Sequence, residues 1–213
     1  MELSVVVLAG GQGRRLGGTS KALVDLCGKP MIFYALRVAT SLSSDVVVVV
    51  SSEEQREALS KLLGAEGIRI VIDEQDLGPS CPLLGLVSGL KAVKHRKALA
   101  LACDMPLASR DVLYFLADVM SYMNASVPRW PNGYVEPLQA AYRVGRAAEV
   151  GEELLRSGEG IRMGSFLKAL GRVRYISTSV LKQLDPGLST FLNVNTLDDL
   201  RRAEVALRTR GLC

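Results

Sequence analysis

Val5-Val6-Val7-Leu8-Ala9-Gly10-Gly11-Gln12-Gly13-Arg14-Arg15-Leu16-Gly17-Gly18, closed by Thr19-Ser20-Lys21, decides the fold. An apolar strand, Ser4 to Leu8, runs directly into a loop dense in glycine and arginine. Gly10, Gly11 and Gly13 can take positive φ and bring backbone N–H groups close to an anion, while Arg14, Arg15 and Lys21 place positive charge beside them. A turn that only reversed the chain would have no need of so many glycines and cations together. The reading is a strand whose carboxyl end serves a phosphate.

Outward from this loop, strand-like and helix-like segments alternate with short connections to about residue 125. Asp45 to Ser51, Ile68 to Ile72 and Ala98 to Cys103 read as further strands. Between them lie a helix from Pro30 to about Ser41, one capped by Ser52 with Glu53 and Glu54 in its first turn, and one with Leu83, Leu86, Val87, Leu90 and Val93 on a single face. Such alternation predicts a mainly parallel, mixed sheet with helices on both sides, a three-layer α/β/α arrangement. Ser109 can cap a helix to about Met123, and Pro128 to Gly133 reads as a loop. Tyr134 to Arg143 is expected to return as an antiparallel strand pair. Helices over 146–157 and 162–170, a strand at Val173 to Ser177 and a last helix capped by Thr196 complete one domain over residues 1–213.

Composition narrows the chemistry. Apolar residues at 48% and charged residues at 23% are ordinary for a globular protein, and the run of five valines from Val46 is far short of the ~20 residues of a membrane span. Met1 to Leu8 lacks a basic start, so no signal peptide, no membrane and a cytoplasmic location are expected. The net charge of +4 suits small anionic ligands, and no interleaving of aromatic and basic residues suggests nucleic acid. The four cysteines form no CxxC pair and are expected to be reduced. His95, the single histidine, sits among Lys94, Arg96 and Lys97 and reads as a solvated loop residue, which removes Ser-His-Asp and Cys-His catalysis.

Two nucleotide motifs fail against the opening loop. The dinucleotide fingerprint would need glycine at Leu16, and Gly28-Lys29 is followed by Pro30 rather than Ser or Thr, so no Walker A loop is present. Asp104, in Cys103-Asp104-Met105-Pro106, closes the strand Ala98 to Cys103 at the sheet edge where open α/β folds bind ligands. Magnesium commonly takes one or two protein carboxylates with phosphate oxygens and water, so this one carboxylate is a sufficient Mg2+ ligand. Arg15, or Arg14 in its place, Lys21 and Asp104 are the residues able to neutralise charge on a reacting phosphate, and so the candidate catalytic residues if the loop serves phosphate transfer. Asn193 and Asn195 are two apart, so in an extended segment they share a face.

Residues 8–18, LAGGQGRRLGG, followed by Lys21-Ala22-Leu23, are similar to the signature of nucleotidyltransferases that activate sugars, cobamides and molybdopterin. Gly78-Pro79-Ser80-Cys81-Pro82-Leu83-Leu84-Gly85, Cys103 to Pro106, Glu136 to Tyr142 and Asn193-Val194-Asn195-Thr196 follow in order, and together the pieces resemble the molybdenum cofactor guanylyltransferases across nearly the whole chain. The pattern departs at Cys81, where the family usually has glycine, and at Ser20, where it often has an acid. The resemblance implies a Rossmann-like fold of the nucleotide-diphospho-sugar transferase type. It places the nucleotide on the backbone of Leu8, Ala9, Gly10 and Gly11, on Lys21, Asp73 and Asp104, and the pterin acceptor at Asn193 and Asn195. The implied substrates are GTP and molybdopterin or its metal form, with cofactor-delivery proteins or apoenzymes as further partners. A cytidylyltransferase for the same cofactor, a guanylyltransferase for a cobamide or other phosphate acceptor, and a non-catalytic nucleotide-binding protein are the alternatives.

Overall fold

The computed structural model describes residues 2–11, 20–64, 67–159 and 161–213. In chain order these form β1 (Ser4–Leu8), a small hairpin of β2 (Asp25–Leu26) and β3 (Lys29–Pro30), α1 (Ile32–Leu42), β4 (Asp45–Val50), α2 (Glu53–Leu63), β5 (Ile68–Ile72), α3 (Pro82–Ala92), β6 (Lys97–Ala102) and α4 (Arg110–Asp118). Then follow β7 (Ala125–Arg129), β8 (Gln139–Arg143), α5 (Val144–Ser157), α6 (Met163–Leu170), β9 (Val173–Ser177), the short α7 (Thr178–Leu181) and α8 (Leu197–Thr209). The main sheet has seven strands in the order β5-β4-β1-β6-β8-β7-β9, and only β8 runs antiparallel.

The expected three-layer α/β/α architecture with a mixed, mainly parallel sheet is the one observed. One sheet face packs Val5, Val7, Val48 and Leu101 against α1, α2 and α4, and the other packs Val6, Val47, Val49 and Ala100 against α3, α5 and α6. Because both faces are covered, β1, β4 and β6 are apolar without alternation. Ser52, Ser109 and Thr196 cap α2, α4 and α8 as their positions predict, through Gln55 N, Val112 N and Asp199 N.

Three features differ from the sequence reading. Pro128 lies inside a strand, β7, beyond the residues Ala125 and Ser126 that pair with β8. Only Gln139 to Arg143 of the expected pair is a strand, and it fills the gap between β6 and β7. The third difference concerns the cysteines: Cys27 and Cys213, 186 positions apart, form a disulfide with their Cα atoms 5.1 Å apart, while Cys81 and Cys103 are free. Cys27 and Gly28 both take positive φ in the two-residue turn of the β2–β3 hairpin, and α8 packs on this hairpin through Val24, Leu26, Val194, Ala203 and Leu207. Packing of two distant segments made the pair, and no local spacing announced it.

Close approach of α3 to the sheet rests on a missing side chain. A Cβ at Gly89 would lie 2.3 Å from Val6 Cγ1 and 2.9 Å from Val49 Cγ2. Alanine in a helix ordinarily gains ~1 kcal/mol over glycine, but here overpacking against β1 and β4 outweighs the gain. Gly89→Ala is therefore expected to lower the unfolding free energy by about 1–3 kcal/mol, read from urea denaturation.

Candidate active site

The carboxyl ends of β1, β4, β5 and β6 are tied together by the chain as it leaves them. Ala9 N donates to Val49 O at 2.8 Å, Asp73 N to Val50 O at 2.9 Å and Cys103 N to Leu8 O at 3.1 Å. Glycine at position 10 suits this closeness, since a Cβ there would stand a tight 3.2 Å from both Cβ and N of Ser51. Ser51 Oγ donates to Gly10 O at 3.0 Å and so fastens the first turn of the glycine loop to the end of β4.

Lys21 returns to this edge through its backbone N–H on Gly11 O, at 3.2 Å. Its ammonium then donates to Asp104 Oδ2 at 2.8 Å and to the carboxamide oxygen of Asn195. Asp104 stands just past β6, with its carbonyl accepting from Val194 N at 2.8 Å. Asn195 precedes the capping box of α8, in which Asp199 accepts from Asn195 N, Thr196 N and Thr196 Oγ1. The cap is thus satisfied without the Asn195 side chain, whose oxygen is left for Lys21. Three segments, separated by 83 and 174 positions from Lys21, meet at one nitrogen. The side chains of Lys21 and Asp104 are each only 17% exposed, so this pair is shielded well beyond a surface ion pair.

The junction forms one wall of a cleft of about 550 Å3, a size suited to a nucleotide. Leu8, Gly10, Ser51, Asp73, Gly85 and Asp104 are among its lining. Asp73 is 9% exposed, and among the described residues no group donates to its carboxyl; burial pushes its pKa up from 3.8 to about 6. Gly85 keeps α3 close to it, since a Cβ would lie 3.4 Å from Asp73 Oδ1 and 3.2 Å from Leu8 Cδ2. Cys81, which replaces the expected glycine, also lines the cleft, at the start of α3. Cys103, next to Asp104, is buried with its thiol pKa pushed far up by burial, so it is no nucleophile.

Of the residues singled out in the sequence, Leu8, Gly10, Gly11, Lys21, Asp73 and Asp104 line the cleft, and Ala9 is buried beneath it. Arg15 lies outside the described residues. Asn193 and Asn195 part company: Asn195 reaches Lys21, while Asn193 keeps a buried carboxamide oxygen with no partner among the described residues. Sequence reasoning passed over Ser51 and Gly85; the signal for both was position, at the exit of the second strand and inside the Gly78 to Gly85 run.

Among the described residues no group of three or more His, Cys, Asp or Glu converges as a metal cluster. The junction nonetheless offers two oxygens, Asp104 Oδ2 and Asn195 Oδ1, already arranged around a cation. That donor set fits a hard divalent ion which takes its other ligands from phosphate and water.

The chain matches the family model described as the MobA-like NTP transferase domain over residues 5–173. It is 36% identical over 197 residues to a protein of Thermococcus gammatolerans named "Probable molybdenum cofactor guanylyltransferase", covering 91% of this chain and 95% of that one. The crystal structure of molybdopterin-guanine dinucleotide biosynthesis protein A from Archaeoglobus fulgidus superposes with a TM-score of 0.82 at 31% identity, covering 97% and 99% of the two chains. The 2-C-methyl-D-erythritol 4-phosphate cytidylyltransferase of Thermus thermophilus shares the fold, with a TM-score of 0.70 at 18% identity over 98% of this chain and 100% of that one.

The Asp73 carboxyl gives a pH test. Its folded pKa lies above the ordinary value of 3.8, so the folded chain holds the proton more tightly, and the associated stability is full below about pH 4 and lost as pH rises through about 6. Asp73→Asn has no charge to bury. The variant is expected to exceed the ligand-free wild type in stability by roughly 2–3 kcal/mol at pH 7.5, with the advantage shrinking toward pH 4.5, read from urea unfolding at both pH values.

Proposed function

The chain belongs to the MobA-like NTP transferase family and is a nucleotidyltransferase, and on that premise we propose that it transfers GMP from GTP to the terminal phosphate of molybdopterin or its metal form, releasing pyrophosphate. The observation that carries this reading is the meeting of Lys21, Asp104 and Asn195 beside the Gly10–Gly11 turn, at the mouth of a nucleotide-sized cleft.

In this account an acceptor phosphate oxygen attacks the α-phosphorus of GTP, a new P–O bond forms and the bond to the β-phosphate oxygen breaks. Negative charge grows on the leaving pyrophosphate, and the protein's work is positioning and neutralisation. The backbone of Leu8 to Gly11 takes the nucleotide, Lys21 takes its phosphates, and Arg15 adds a second positive charge. Members of this family depend on a divalent metal, here Mg2+ held by Asp104, which when bound lowers the negative charge on the phosphate oxygens. Asn193, whose buried carboxamide oxygen has no partner among the described residues, is the acceptor-side contact, with Asn195 on the same segment. No side-chain nucleophile is needed, in keeping with the buried, protonated Cys103.

Asp73 favours guanine over cytosine. Guanine offers adjacent N1–H and N2–H donors to a carboxylate that has none of its own, whereas cytosine offers one amino group beside two acceptors. With cytosine a base acceptor would face a carboxylate oxygen, and so enclosed a contact between two acceptors is costly.

With a pterin monophosphate acceptor and Mg2+, GTP is expected to support pyrophosphate release at least about tenfold faster than CTP, ATP or UTP. Preference for CTP would overturn the guanylyl assignment. Asp104→Ala is expected to lower release by about 100-fold or more while its circular dichroism stays that of the wild type; undiminished release would remove Asp104 from the reaction.

A further inference from the structure

We propose that Lys21 is a place-holder for the metal ion: in the nucleotide-free protein its ammonium occupies the position between Asp104 and Asn195 that a divalent cation takes in the loaded enzyme. Asn195 is then the second protein ligand of that ion, and metal and nucleotide enter together. The inference rests on the reading of Asp104 as the metal carboxylate.

The chemistry of the contact supports it. A lysine ammonium has donors only, so the Asn195 group facing it must be the carboxamide oxygen, which the hydrogen-bond pattern also requires. Two oxygens, one charged and one neutral, therefore surround a single positive charge, with Asp104 Oδ2 at 2.8 Å. Oxygen ligands of this kind are those a hard divalent ion selects.

The oxygens and the lysine differ in freedom of movement. Asp104 is fixed on both sides, by Cys103 N on Leu8 O and by Val194 N on Asp104 O. Asn195 is fixed by its own N–H on Asp199 and by the capping box that follows. Lys21 carries its charge on a flexible four-carbon stem, and among the described residues its ammonium bonds only to these two oxygens. The lysine is the member that can leave.

Two cations cannot share these oxygens, so the lysine opposes metal binding while the phosphates are absent. A triphosphate draws the ammonium onto its own oxygens by charge-assisted hydrogen bonds and supplies the ion's remaining ligands. Metal and nucleotide thus raise each other's affinity by the same factor. Neither the ion-pair geometry nor the coupling requires any change in the sheet.

Mn2+ binding, followed by the electron paramagnetic resonance signal of the free ion, tests the exchange without turnover. In the absence of nucleotide, Lys21→Met is expected to bind Mn2+ about tenfold or more tightly than the wild type, because two charge-assisted hydrogen bonds no longer have to be broken. Adding Asn195→Ala to Lys21→Met is expected to abolish that gain, and Lys21→Arg, which keeps the cation, should bind as weakly as the wild type. Should Lys21→Met not fold, Lys21→Gln serves the same purpose. Equal Mn2+ affinity in Lys21→Met and wild type, with the wild type plus GTP removing more free Mn2+ than GTP alone, would overturn the place-holder role. No removal of free Mn2+ beyond that of GTP alone would instead overturn the reading of the metal site beneath it.

Discussion

One ammonium group joins the parts of this molecule that matter. The Lys21 side chain bridges the carboxylate at the end of β6 and the carboxamide ahead of α8, and nothing else in the described chain brings residues 21, 104 and 195 together at a single atom. The rest of the structure can be understood as what is needed to make that contact. The sheet supplies a rigid edge, with Asp104 at the end of a strand buried on both faces. The glycine turn supplies closeness, because a Cβ at Gly10 would stand only 3.2 Å from Ser51 and push the two turns apart.

Holding Lys21 and Asn195 at that edge is the task of a separate small core. The β2–β3 hairpin begins a few residues after Lys21, α8 begins two residues after Asn195, and the two pack on one another through Leu26, Met31, Tyr34, Val194, Ala203 and Leu207. Tyr34 Oη donates to Leu26 O inside this core at 2.7 Å, and the Cys27–Cys213 disulfide closes its far side. A cross-link over so long a stretch of chain restricts the unfolded ensemble strongly, so the bond steadies the unit that carries two of the three site segments. The same contacts that stabilise this unit also set the positions of Lys21 and Asn195.

Much of this was legible in the sequence, for identifiable reasons. β5 and β9 were bounded correctly because β-branched and aromatic residues crowd into short runs, and the caps at Ser52, Ser109 and Thr196 declared their helices. Asp104 was legible because a carboxylate at the end of a fully buried strand has only one kind of place to be. What remained hidden depended on long-range packing. β7 was masked by Pro128, the disulfide by 186 intervening positions, and the meeting of Asn195 with Lys21 by the fact that nothing local to either residue encodes the other. The placing of Asn193 and Asn195 on one face was a local inference; in the structure Asn195 meets Lys21, while the carboxamide oxygen of Asn193 is buried without a partner among the described residues.

The central claim is that the phosphates of the nucleotide and the metal ion meet at the Lys21–Asp104–Asn195 junction. Electron–nuclear double resonance on Mn2+–GTP with protein carrying 13C-labelled aspartate measures this directly, through the coupling between the ion and a protein carboxylate carbon in a complex whose phosphorus coupling marks the bound nucleotide. A carboxylate carbon coupling in the wild type that is lost in Asp104→Ala is the result this account predicts. The same carbon coupling, undiminished in Asp104→Ala, would place the metal elsewhere in the molecule and contradict it.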